Sequence, residues 1–147
     1  MPSAFEQSGL RFEYPENWSL DHVSDDSWQD SVEQVVVSSP NTAFWHLSKY
    51  PRETELEPLF DEALAALRSE YRDMETEPAG DAALEDCLLT GFDVNFICLD
   101  VTNTCWLRGF QTEDATYLMI CQAEDCEFAQ ASLVFQAMLA SLLRNLA

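Results

Sequence analysis

Apolar residues recur every third or fourth position in two segments of the chain and every second position in several others, and this division lays out the elements. Over residues 57–73, Leu59, Phe60, Ala63, Leu64, Leu67 and Tyr71 fall on one stripe, which predicts an amphipathic helix. Its start is marked twice. Thr54-Glu55-Leu56-Glu57 has the capping-box pattern, and Pro58 suits a first helical position, where its missing N–H is no loss. Over residues 124–146, Phe128, Ala131, Phe135, Met138, Leu139, Leu142, Leu143 and Leu146 draw a second and longer stripe. Glu124, Asp125 and Glu127 in its first turn and Arg144 in its last suit the two poles of the helix dipole.

The remainder reads as strands and turns. Leu10, Phe12 and Tyr14 alternate with Arg11 and Glu13, and Pro15 then opens a turn into a short strand from Trp18 to His22. Residues 21–33 are acidic and Ser-rich, which predicts a loop. Gln34 to Ser39, centred on Val35-Val36-Val37, and Ala43 to Lys49 are expected to form a hairpin about Pro40-Asn41. Glu75 to Asp81 is rich in breakers and reads as an acidic loop. Beyond it, Phe92, Val94, Phe96 and Cys98 alternate with Asp93, Asn95, Ile97 and Leu99. Thr102-Asn103-Thr104 is expected to turn this strand into Cys105 to Gln111, and Glu113-Asp114 to turn that into Thr116 to Gln122. Strands joined by short turns imply antiparallel pairing, and helices that interrupt rather than alternate imply an α+β fold. We therefore expect one domain over residues 1–147: a central antiparallel sheet of about six to eight strands, with the helices at 57–73 and 124–146 packed against it.

Charge narrows the function. Against 27 Asp and Glu stand 7 Lys and Arg, a formal net charge of −20, while 47% of the residues are hydrophobic. That apolar content supports a packed body rather than disorder, so the acids coat a surface. Such a surface repels phosphate backbones and anionic lipid, which excludes nucleic acid and membrane as expected partners. The first residues lack a basic segment followed by an apolar run, and no stretch reads as an uncharged membrane span, so a cytoplasmic chain is expected. Cys87, Cys98, Cys105, Cys121 and Cys126 are odd in number and contain no C-x-x-C. Most lie among apolar neighbours, as small core residues of a reduced protein do. Asn17-Trp18-Ser19 matches a glycosylation sequon, which has no role without secretion.

No phosphate-binding, nucleophile-elbow or zinc-protease motif occurs, and no catalytic, cofactor-binding or metal-ligating residue is assigned. His22, beside Asp21, Asp25 and Asp26, has the neighbours a general base would need, but an acidic surface supplies such neighbours by chance. His46, between Trp45 and Leu47, reads as a strand histidine making one hydrogen bond. Asp21, Asp25, Asp26, Asp30 and Glu33 offer hard oxygens but lack the order and glycine of a calcium loop. The charge is nonetheless polarised. Residues 53–86 carry twelve acids against Arg68 and Arg72, a pole suited to steering a basic partner. Glu57, Asp61 and Glu62 on the first helix, with Asp25, Asp26, Asp30 and the isolated Trp28 in the acidic loop, are the candidate partner contacts. Leu133, Ala137 and Ala140 form a lesser apolar stripe on the last helix and are the candidate oligomer contact, so the chain is expected to be a monomer or a homodimer.

An opening strand that ends in Tyr14-Pro15-Glu16-Asn17-Trp18, a Val-rich strand ending in Ser38-Ser39-Pro40, a central helix, a run of strands and a closing helix through Ala140-Ser141-Leu142 resemble the PsbP-like superfamily. That group includes Mog-type Ran-binding proteins and bacterial chaperone-like relatives. The resemblance implies an antiparallel sheet with helices on both faces and action by protein binding, with no shared catalytic residue. The expected function is a non-enzymatic, acidic protein-interaction module without cofactors. The competing expectations are a small-molecule binder or enzyme whose aromatic-lined pocket uses His46 or His22, and a dimeric secretion-type chaperone.

Overall fold

The computed structural model describes residues 2–7, 10–23, 33–71, 73–84 and 87–146; the side chains of Gln7, His22 and Val23 are outside that description, as is the stretch holding Asp25, Asp26, Trp28 and Asp30. The elements run β1 (Ser3–Gln7), β2 (Leu10–Tyr14), β3 (Ser19–Val23), β4 (Glu33–Ser38), β5 (Phe44–Pro51), α1 (Leu56–Glu70), β6 (Glu75–Pro78), β7 (Ala82–Leu84), β8 (Cys87–Cys98), β9 (Val101–Gln111), β10 (Ala115–Glu124) and α2 (Asp125–Leu146). β1 and β2 form a hairpin of their own. The remaining strands make an eight-stranded sheet in the order β3-β4-β5-β10-β9-β8-β6, with β7 pairing another stretch of β8. Every pairing is antiparallel. This is the expected α+β architecture, with one helix on each face.

The two-residue alternation of the strands divides the apolar side chains between two cores. Val35, Val37, Trp45, Leu47, Tyr117, Met119 and Cys121 face α2, where Ala131, Phe135, Met138, Leu139, Leu142 and Leu143 close over them. The β1–β2 hairpin adds Phe5, Leu10 and Phe12 to this core, and the Glu13 N–H donates to Ser141 Oγ of α2 at 3.0 Å. Val94, Phe96, Cys105, Leu107 and Leu118 face the other way and are covered by Leu59, Phe60 and Leu64 of α1. By length and composition α2 would also suffice to cross a membrane, with a window of mean hydropathy 1.4. Its apolar stripe is instead the roof of the larger core.

Several boundaries differ from those expected. α1 ends at Glu70 rather than at 73, because Tyr71 takes an extended backbone (φ −120°, ψ 137°) and stacks its ring on Phe96 with centroids 4.0 Å apart. Glu55 is its N-cap and makes no side-chain cap bond, so neither start signal operates as predicted, and Pro58 falls third in the first turn, where it is still harmless. Glu75–Pro78 is an edge strand and not a loop, since its pairing with Asn95–Phe92 needs no apolar side chain and its proline sits at the rim. β1 has no counterpart among the expected strands.

Thr102, Asn103 and Thr104 belong to β9. The turn before them is Leu99-Asp100, fixed by the pairing of Cys98 with Val101. Both turn residues have positive φ, 53° and 66°, the geometry of a two-residue hairpin that usually takes Asn-Gly. Further along the same pair of strands, a Cβ on Gly91 would collide with the Leu107 carbonyl, so only glycine allows that approach.

Candidate functional site

α1 shows how the negative pole is presented. With Leu59, Phe60 and Leu64 turned to the sheet and Ala63 and Leu67 packed beside them, the helical period leaves Glu57, Asp61 and Glu62 fully on the outside. Glu57 and Asp61 stand one turn apart, a like-charge spacing that costs a few tenths of a kcal/mol and contributes nothing to the isolated helix. Arg68 lies in the last turn, and Glu70, Asp73, Glu75 and Glu77 continue the exposed acids beyond it.

The other proposed contacts divide. Asp25, Asp26, Trp28 and Asp30 lie outside the described residues. Asp21 is exposed on β3 opposite Val36, whereas Glu33 is buried on β4 in the same row as Val35 and Val37. Strand alternation therefore sends Asp21 and Glu33 to opposite faces of the sheet, and they cannot share a cation. No group of three or more metal-binding side chains occurs among the described residues.

The titratable groups are dispersed. His46 lies between Val36 and Ile120 on the α1 side of the sheet, with Nε2 buried and without a hydrogen bond, so the single bond expected of this histidine is not made there. Burial alone lowers its pKa. With no hydrogen bond at Nε2, nothing on that side of the ring orients it as a general base. His22 pairs with Val35 in β3. Cys105 and Cys121 are buried, and burial pushes Cys105 up to about 12 and Cys121 well above the usual range, so both are inert thiols. Cys87 and Cys98 are half-buried and Cys126 is exposed, a less uniform picture than the neighbouring residues suggest.

Two of the concavities that border α2 are lined mainly by apolar side chains. One, about 350 Å³, runs between the end of β2 and the helix and is lined by Tyr14, Pro15, Leu133, Val134, Ala137 and Met138. Leu133 is 67% exposed, and Ala137 joins it there, while the third residue of the expected stripe, Ala140, is half-buried. The other, about 360 Å³, is lined by Leu84, Leu89, Trp106, Arg108, Met119 and Phe135. Its aromatic lining is Trp106 and Phe135, and its polar groups are Arg108 and Gln136. His46 lies on the opposite face. The Arg108 guanidinium is already engaged, at 2.7 Å by Asp93, by the carbonyls of Phe92 and Leu107, and 5.3 Å over the Trp106 ring.

Two polar devices escaped the sequence reading. Placing the β8–β9 turn at 99–100 would have set Arg108 diagonally across from Asp93. At the start of α2, Glu127 accepts hydrogen bonds from the Thr42 N–H, the Thr42 hydroxyl and the Ser39 hydroxyl at 2.9, 2.6 and 2.8 Å, tying the helix to the β4–β5 turn. Local sequence marks Glu127 only as a dipole partner, because its clamp joins residues 85 and 88 positions away.

No protein-family model and no curated protein sequence matches the chain. Solved structures do share its fold. Cyanobacterial PsbP (CyanoP) from Synechocystis matches with a TM-score of 0.63 at 9% identity, over 95% of this chain and 90% of that one. A protein of unknown function from Pseudomonas aeruginosa matches at 0.53 and 8%, over 96% and 95%. LpqN of Mycobacterium tuberculosis, involved in cell envelope biogenesis, matches at 0.50 and 14%, over 94% and 86%. The fold is PsbP-like.

Proposed function

We propose that this chain is a non-enzymatic protein-interaction module whose acidic α1 face docks a basic partner in the cytoplasm. The observation that supports the reading best is the outward row of Glu57, Asp61 and Glu62: Glu57 in the first turn suits the helix dipole, but Asp61 and Glu62 lie beyond that turn and no ion pair among the described residues holds them. Long-range attraction to such a face raises the rate of encounter with a basic surface more than it tightens the final complex. The partner is protein rather than nucleic acid or lipid, whose phosphates the same charge repels. In this reading the chain works as a monomer, because two copies at −20 each repel across the exposed Leu133 and Ala137.

The test compares the wild-type chain with Glu57→Lys/Asp61→Lys/Glu62→Lys as bait in native lysate. The expected outcome is a partner retained by wild type at low salt, released by 0.3 M salt where the screening length is about 6 Å, and absent from the triple variant at either salt. A partner held equally by both baits would refute the α1 face. Sedimentation at high protein concentration and low salt, where the repulsion is least screened, is expected to show one species of monomer mass.

A further inference from the structure

We infer that the β8–β9 turn is an apolar finger that inserts into a groove on the partner protein, a groove with an apolar floor and a rim of Lys and Arg. The inference rests on the protein-interaction reading above and adds to it the contact that gives the complex its lifetime.

Three of the large exposed apolar side chains fall within five residues at this one turn: Leu99 at 92% exposure, Ile97 at 54% and Val101 at 37%. A single exposed leucine is ordinary, but a cluster at a projecting tip is a contact surface. Strand register makes the cluster a finger rather than a patch. Ile97 pairs with Thr102 and Val101 with Cys98, so Ile97 and Val101 flank opposite sides of the ribbon and Leu99 crowns it.

The backbone carries a second and separate indication. Leu99 and Asp100 hold φ of 53° and 66° in a turn whose geometry favours Asn and Gly. Bulky residues enter that region reluctantly, and strain of this kind gathers where it serves a site. Here a leucine is both strained and almost wholly in water, so neither the turn nor the core accounts for it.

The surroundings define the partner. Asp100 sits in the turn itself. About 13 Å back along the ribbon at 3.3 Å per residue, Asn103 pairs with Glu124 on one side and Asn95 with Glu75 on the other. Asp125 accepts a 2.7 Å hydrogen bond from Thr104 of the same ribbon, and the exposed Glu70 and Asp73 flank Tyr71, whose ring stacks on Phe96. A carboxylate collar around an apolar tip complements an apolar socket with a cationic rim, and it is repelled by an anionic bilayer.

The experiment places the photo-crosslinking amino acid p-benzoylphenylalanine at Leu99 of the full chain, and at Leu88, also exposed though less so, as a control. Illumination in native lysate is expected to give a discrete adduct from position 99 and none from 88. Unlabelled wild-type chain should suppress that adduct, and unlabelled Leu99→Asn should do so at least tenfold less well. Leu99→Asn is also expected to raise the unfolding midpoint by about 3 °C, since Asn suits the turn. A lowered midpoint would show Leu99 to be structural and overturn the inference, as would equal competition by the two chains. An adduct of twice the chain's own mass, or Leu99-dependent flotation with phosphatidylcholine vesicles, would overturn it in favour of self-association or lipid. The triple lysine variant separates the two readings. If it still competes while Leu99→Asn fails, the finger stands and the α1 face falls; the reverse result removes the finger alone.

Discussion

Under α2 the sheet meets a helix that buries seven side chains, flanked by a hairpin that adds Phe5, Leu10 and Phe12; under α1 it meets a helix that buries three. The same strands supply both floors, so the inequality comes from the covers. α2 is 22 residues long and α1 is 15, and α1 turns its acids outward where α2 keeps one long apolar stripe inward. The larger core fixes the fold, and the smaller one holds a charged helix in place. We expect α1 to open locally at a lower free energy than α2, as elements with few buried contacts do.

The strongest way to break this contrast is Phe135→Ala. Phe135 is fully buried among Trp18, Trp106 and Phe128, and its loss is expected to cost about 3–5 kcal/mol and to shift the whole urea transition. Leu64→Ala is expected to cost about 2–3 kcal/mol and to accelerate amide exchange in α1 while leaving α2 unchanged. Equal acceleration in both helices would mean that the two cores form one unit. Gly91→Ala tests the strand shared by both cores. Its Cβ has no room beside the Leu107 carbonyl, and a cost of about 3 kcal/mol or more is expected in thermal melts.

Alkali compares the dryness of the two sides. The Cys105 thiol, under α1, titrates at about 12 against an ordinary 9 because it is buried. A raised folded value leaves its stability contribution intact below pH 9 and removes it progressively between pH 9 and about 12. Cys105→Val is therefore expected to move the alkaline unfolding midpoint upward, and Cys121→Val, beneath α2, to do the same at least as strongly. A smaller shift for Cys121 would reverse the ranking of the two cores.

The smallest effect is expected from Glu127→Gln. Burial pushes the Glu127 carboxyl up, but the hydrogen bonds from Thr42 and Ser39 outweigh it and hold the group below 4.5. Its contribution is present above pH 4.5 and is lost as the pH falls through the lowered value. After solvent screening it should amount to about 0.5–1 kcal/mol at pH 7 and shrink as the pH falls below 4.5 in matched urea titrations.

What could be read from the chain alone followed how local the cause was. Both helices were legible because Leu59 to Leu67 and Phe128 to Leu146 repeat within the span they form. The β4–β5 hairpin was legible because Val35 to Val37 and Pro40-Asn41 announce strand and turn side by side. β6 was not, since Glu75 to Pro78 is held by hydrogen bonds to β8 and carries no apolar side chain to mark it. The β8–β9 turn lies three residues before the expected one, because Leu99-Asp100 lacks turn chemistry and Thr102-Asn103-Thr104 has it. Of the candidate contacts, Glu57, Asp61 and Glu62 followed from helical period. The Arg108–Asp93 pair and the Glu127 clamp depended on register and on distant residues.

β6 has a further effect, on how copies of the chain meet. As the last strand in the sheet's order, it exposes a row of unpaired peptide groups onto which another polypeptide could add. Its four residues, Glu75-Thr76-Glu77-Pro78, are short, carry two carboxylates and end in a residue with no amide hydrogen to offer. The strand completes its own sheet, and its shortness, paired carboxylates and terminal proline are the features that disfavour templated, fibril-like growth at that edge.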